Sequence, residues 1–261
     1  MSILASEWIK TKRTPIRWLT FLAPMIFSGL IIWYFSLRPI KMDTQISIFQ
    51  AFFEVCTAFV IPLGAGLISG IMIHQEELAG NFNGLLLNKL PRQKLYLGKL
   101  ATVILLASIS TLIATLVLLV GVGFVLNIPI SWLIFIIAAL MAIIGSIPLL
   151  AFHLWISFAW GIGASIGIGG GGVLIAALMV TSLGDRIWQF VPWAWPVRLS
   201  MIPGAYLLYK SGMNFLPETI SIGVAIKQII YSLIPAIIFF VIMLIGGIMW
   251  FNKWEGRKIY G

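Results

Sequence analysis

Charge is what this chain of 261 residues lacks first. Asp, Glu, Lys and Arg together make up 10% of it, where a soluble domain carries roughly 25%. From Leu100 to Gly184 there is none of the four. A water-soluble fold of this composition would have too few polar side chains to cover its surface, so lipid must solvate most of it. Acids are the scarcest. Only Glu54 lies in an apolar run, near its start. That leaves no acid at mid-membrane for a proton relay. It also leaves no carboxylate pair or nucleophile with a base, which an intramembrane hydrolase requires.

Other absences narrow the field further. Cysteine is limited to Cys56, which excludes an intrachain disulfide and reads as packing. His74 and His153 are far apart in the chain and share no Cys or carboxylate pattern, so no metal site is expected. His153 falls in an apolar run, either as a hydrogen-bonded core residue or as a functional polar group. No G-x-x-x-x-G-K-[ST] loop occurs, and no lysine follows the glycines 169–172, so the chain carries no phosphate cradle of its own. No small-residue cleavage motif interrupts the first apolar run, so no signal peptide is expected to be removed. The two halves show no self-similarity.

What is there is apolar length. Hydrophobic residues make up 61% of the chain and its mean hydropathy is +1.06. A run of ~20 residues at 1.5 Å each spans the roughly 30 Å of hydrocarbon. Six such runs are expected: Trp18–Leu37, Phe52–Ile73, Leu100–Leu126, Ile130–Leu154, Ile162–Ser182 and Ile226–Phe251. A turn between the fourth and fifth is expected within Trp155–Gly167. Backbone in hydrocarbon must satisfy its own hydrogen bonds, so the runs are helices or barrel strands. They are continuously apolar rather than alternating, which selects helices. The expected fold is an all-α bundle forming one membrane domain over 1–261.

The formal net charge is +9. The basic residues flank apolar runs, which assigns them to topology and lipid headgroups and not to nucleic acid. Lys10, Lys12, Arg13, Arg17, Lys89, Arg92, Lys94, Lys99, Lys253, Arg257 and Lys258 fall on one side of a six-span chain. Arg38, Lys41, Arg186, Arg198, Lys210 and Lys227 fall on the other, spread over longer loops. The positive-inside rule then puts both termini in the cytoplasm.

Four segments could carry function. Residues 74–99 combine Glu76 and Glu77, Gly80, the apolar Phe82, Leu85, Leu86, Leu87 and Leu90, then Pro91, Arg92, Lys94 and Lys99. This is either a plain interfacial loop or a short cytoplasmic helix whose apolar face takes a protein partner. Residues 3–17 set Ile3, Leu4, Trp8 and Ile9 against Ser6, Glu7, Lys10 and Lys12, the pattern of an amphipathic helix lying on the inner leaflet. The segment 183–225, expected outside, is rich in aromatics and proline. Its Trp188, Trp193, Trp195, Tyr206 and Tyr209 are either an interfacial belt or a gate for an amphipathic substrate. Finally, Gly161/Ser165/Gly169 and Gly163/Gly167/Gly171 have the spacing at which helix backbones approach closely. That spacing serves packing inside one subunit, a subunit interface or the lining of a path.

Together these features resemble the permease subunits of type-2 ABC exporters. The most specific match is EELAGNFNGLLLNKLPRQKLYLGKL, with its acid, glycine, short apolar helix and basic residues entering span three. The resemblance assigns ATPase coupling to Glu76, Gly80, Arg92 and Lys99. It implies ATP and Mg in separate ABC ATPase subunits, a second permease subunit and a location in the bacterial cell membrane. The length and the Ile- and Trp-rich style are similar to lantibiotic-immunity permeases, which implies an antimicrobial peptide as substrate. The uncharged turn near Trp155–Trp160 departs from the usual charge pattern. Another hydrophobic substrate, such as a bacitracin-like peptide or a drug, is the alternative within that resemblance, and a membrane enzyme, an insertion factor or a scaffold is the rival outside it.

Overall fold

In a computed structural model the chain is described over residues 3–41, 43–88, 90–208 and 222–256. The described residues form helices and turns with no strand. A short helix α1 (Ile3–Lys10) leads into α2 (Pro15–Ser36). Next come α3 (Thr44–Val55) and α4 (Ile61–Leu78), joined end to end by the π turn Cys56–Val60. The one-turn helix α5 (Asn83–Leu86) precedes α6 (Arg92–Val120). The long α7 (Trp132–Val180), the short α8 (Ala194–Met201) and α9 (Ile222–Lys253) complete the chain. Five stretches are long and apolar enough to cross a membrane: Pro15–Ser36, Thr44–Leu78, Arg92–Val125, Trp132–Val180 and Gly223–Lys253.

The helix ends depart from the apolar runs, for local reasons. The second apolar run begins at Phe52, but the helix starts at Thr44. Gln45, Ser47 and Gln50 dilute the hydropathy there, while Ile48, Phe49, Phe52 and Phe53 on the other face are buried. The third run begins at Leu100, but the helix starts at Arg92, where Pro91 sets the boundary. Pro62 explains the π turn. It lacks the N–H for an i→i−4 bond and would clash with the carbonyl four residues back. The Ile61 N–H instead reaches the Cys56 carbonyl, five residues back.

The fourth and fifth runs lie in one 49-residue helical stretch that is not straight. Gly161 sits at φ 88 and ψ −176, outside the helical region. His153 Nδ1 and Ser165 Oγ are 3.2 Å apart, whereas twelve residues of straight helix would separate them by about 18 Å. The chain therefore folds back on itself at Gly161, inside the window where a turn is expected. Only glycine adopts that φ without steric cost.

The second arm of α7 lies against α4 at backbone distance. A Cβ on Gly66 would sit 2.5 Å from the Ser165 carbonyl oxygen, and one on Gly169 would sit 2.8 Å from that of Pro62. The Ser165 hydroxyl donates to the Gly66 carbonyl at 3.1 Å. Ser165 and Gly169 are thus packing residues of this chain, and Gly161 is its point of reversal. The other stripe is different. Gly163, Gly167 and Gly171 are exposed and have open space where a Cβ would go. One cluster of buried residues, including Ile73, Tyr96 and Phe158, forms the core at the end of the bundle holding α1. A second, with Phe49, Phe53 and Phe135, forms it at the opposite end.

The two glycine faces make a direct prediction. Gly66→Ala drives a methyl into an immovable backbone and lowers stability by about 1–3 kcal/mol. Gly163→Ala, facing open space, changes it by less than about 0.5 kcal/mol. Thermal unfolding of the detergent-solubilised monomer measures both, and equal effects contradict the assignment.

Candidate functional site

The site is built where α1, α4 and α6 meet. Glu7 and Lys10 are one turn apart on α1, Glu76 is near the end of α4, and Lys99 is two turns into α6. The Lys99 ammonium lies 2.7 Å from Glu7 Oε2 and 2.7 Å from Glu76 Oε1. The Lys10 ammonium lies 2.8 Å from Glu7 Oε1 and 2.8 Å from Glu76 Oε1. Two acids and two bases close a ring of four contacts with no net charge. The Lys99 side chain is 1% exposed, and a buried ammonium is tolerated only when paired and hydrogen-bonded.

Each neighbour helps to seat the ring. Gly98 leaves room for the Ile3 side chain, which a Cβ there would strike, so α1 lies directly on α6. Arg17 stacks over Trp8 with its carbon 5.2 Å from the ring centroid, and the Thr11 hydroxyl donates to the Trp8 carbonyl at 2.8 Å. These contacts hold the turn between α1 and α2. Burial disfavours the charged form of Lys10, but hydrogen bonds to Glu7 and Glu76 outweigh it and raise its pKa above the ordinary lysine value. A raised lysine pKa stabilises the fold below about pH 10.4 and loses that contribution only above it. Lys10 is therefore charged throughout the neutral range.

The expected polar face of α1 is reversed at one residue. The polarity pattern puts Glu7 with the water-facing residues, yet it is 5% exposed while Ile9 is 50% exposed. Lys99 demands a counter-charge, and Glu7 is the acid on α1 that can reach it.

The segment after α4 turns sharply. Gly80, Asn81 and Phe82 all have positive φ, at 132°, 50° and 66°. Glycine and asparagine accept this cheaply, while a phenylalanine in the left-handed region is strained. Burial offsets the strain: Phe82 is 2% exposed and meets Trp254 edge-on at 4.9 Å between centroids. Leu85 is also buried and Leu86 partly so. Much of the apolar face expected to seek an outside partner is therefore covered by this chain's own C-terminal end. Leu78 and Leu87 remain open, at 74% and 80% exposed.

Arg92 ties the segment to α9. Its Nη1 donates to the Asn252 carbonyl at 3.1 Å and the Trp254 carbonyl at 2.7 Å. A cation on the last carbonyls of a helix is also favoured by the helix dipole. Glu77 accepts or shares a hydrogen bond with His74, Nδ1 to Oε2 at 3.1 Å. The site thus joins Glu76, Glu77, Gly80, Phe82, Leu85, Leu86, Arg92 and Lys99, and adds Glu7, Lys10 and Trp254. Lys89, Arg257 and Lys258 lie outside the described residues. Every acid in the ring is paired with a base.

At the opposite end Trp188 and Tyr206 line a cavity of about 400 Å³ with Asp185 and Arg198. Trp193 and Trp195 do not join them. Trp195 is buried and donates from Nε1 to the Gln189 carbonyl at 2.8 Å. Trp193 lies over Gly172, its indole filling the place a Cβ would take. Tyr209 and Lys210 lie outside the described residues. Arg198, read from the sequence only as an outer charge, caps the end of α7. Its Nε donates to the Met179 carbonyl at 2.8 Å, and its Nη2 donates to the Thr181 carbonyl at 3.1 Å and to Asp185 Oδ1 at 2.8 Å.

Long apolar helices joined at one end by a buried ion ring define a multi-pass membrane protein. The profile of the family described as ABC-2 family transporter protein matches residues 3–169. The chain belongs to that family and is a membrane permease of an ABC transporter. No curated protein and no solved structure gives a significant match.

The Arg92 cap is testable. Arg92→Ala removes a charged donor from two carbonyls, a loss of about 1.5–3 kcal/mol. Hydrogen exchange is expected to speed up at the amides of residues 250–254 and to stay unchanged in α2. Equal protection in variant and wild type contradicts the cap.

Proposed function

We propose that this chain is the permease subunit of an ATP-driven exporter and that its ATPase partner docks on residues 78–92. The observation that carries the reading is the clamp. The segment hangs between the end of α4, which the ion ring bonds to α1 and α6, and the start of α6, whose Arg92 bonds the end of α9, and its own Phe82 packs on Trp254. A push on this short element reaches four helices at once. The exposed Leu78 and Leu87 offer it an apolar contact, and apolar side chains open to water mark protein contact surfaces.

The chain crosses the membrane six times, the two arms of α7 counting separately because they double back at Gly161. Basic residues of α1, α6 and the end of α9 gather at the end holding the ring, which supports a cytoplasmic placement for it. The open Gly163/Gly167/Gly171 face is the surface for a second permease subunit, since small residues let helices associate in lipid. The cargo is a membrane-bound amphipathic peptide of the lantibiotic kind, expelled from a bacterial cell membrane to protect the producer. The resemblance to immunity permeases supports that choice. ATP and Mg belong to the partner.

Affinity capture of the tagged chain from native membranes is expected to bring down a P-loop ATPase. Leu87→Asp should reduce its recovery at least tenfold and abolish protection in a survival assay against a lantibiotic panel. Recovery of no P-loop ATPase, or unchanged recovery with Leu87→Asp, contradicts the docking site.

A further inference from the structure

Arg198 stands between two cavities at the end of the bundle away from the ion ring. One is the Trp188–Tyr206 cavity. The other, of about 290 Å³, lies between the Gln50–Glu54 face of α3 and Val197, Arg198 and Met201 on α8. Charge in this second cavity is unbalanced. Arg198 is neutralised by Asp185 and bonded to two carbonyls. Glu54 is half-buried and forms no ion pair or side-chain hydrogen bond among the described residues. It is the one carboxylate among the described residues of the cavity wall, beside the apolar Ile46 and Met201. A carboxylate withdrawn from water without a partner is unfavourable, and the ring shows how fully this chain pairs its other buried charges.

The backbone aims Glu54 into this cavity. The π turn begins two residues after it. One extra residue in a turn rotates the helix before it by about 100° relative to the helix after it. Without that residue the register of α3 on α4 would carry Glu54 off the cavity face. Such π turns recur at functional sites. The floor is rigid, because Gly204 has no Cβ and the Phe49 ring packs where one would be.

We propose that this cavity is a subsite for the positive group of an amphipathic substrate, an ammonium or guanidinium set against Glu54. The apolar body of the substrate lies on Ile46 and Met201. This deepens the export reading by giving the cargo a charge, and binding itself needs no ATPase.

The test uses a matched pair of probes, dansylcadaverine and its N-acetyl form, which share the dansyl body and differ in one positive charge. The full chain is held in nanodiscs of zwitterionic lipid, with empty discs subtracted. Binding is read by energy transfer from tryptophan to dansyl. Wild type is expected to bind the amine about tenfold more tightly than the acetyl form, the scale of a charged hydrogen bond. Glu54→Gln is expected to abolish that preference while leaving the acetyl form's affinity and the thermal unfolding temperature unchanged. No preference in wild type, or a preference that survives in Glu54→Gln, overturns the proposal. Failure to capture an ATPase while the amine preference stands defeats the export reading alone.

Discussion

An ammonium group at the edge of hydrocarbon has to be neutralised where it sits. Lys99 is that group, and two acids from different helices meet it. One acid is already on α4, beside the turn into α5. The other has to be delivered by α1, which fixes where the N-terminal helix can lie. Lys10 then completes the ring from the more exposed side. Placement of α1 on α6, the exit angle of α4 and the entry of α6 all derive from satisfying one buried charge. Unmatched, that charge would destabilise the fold by several kcal/mol.

The remaining architecture keeps polar backbone satisfied in a chain with few polar side chains. Arginines act at both ends of the bundle on the carbonyls that helices leave unpaired. Arg92 closes α9 and Arg198 closes the second arm of α7. Between them, small residues replace side-chain packing with backbone contact. Pro62 and Gly161 each supply an irregularity: a wide turn that sets the register of α3, and a reversal that lays the second arm of α7 on α4. The ends of the bundle differ in consequence. At one end of the bundle the ring pairs two acids with two bases, whereas at the other Glu54 lines a cavity with no ion pair among the described residues.

Much of this is legible in the sequence, and the remainder is hidden for physical reasons. Continuous apolar runs mark helices because lipid leaves the backbone no alternative, so the bundle can be read directly. Helix starts cannot, because Thr44 and Arg92 open helices whose first turns are polar on one side. The glycine spacing announces close approach, yet spacing alone does not say which stripe faces α4. Glu76 and Lys99 stand out by motif. Glu7 does not, because a pattern of alternating polarity assumes that charges seek water, and here a buried lysine attracts one inward. The partner of Phe82 is equally hidden, since Trp254 lies far along the chain and only the fold brings it there.

The central claim is that Lys99 and Glu76 depend on each other. A double-mutant cycle on the detergent-solubilised chain, using Glu76→Gln, Lys99→Met and the pair together, measures that dependence directly. The account predicts a coupling of about 1–3 kcal/mol, with the double variant no less stable than the worse single. Losses that add to within about 0.5 kcal/mol would mean that the two residues act independently, and the ring would not be what holds α1, α4 and α6 together.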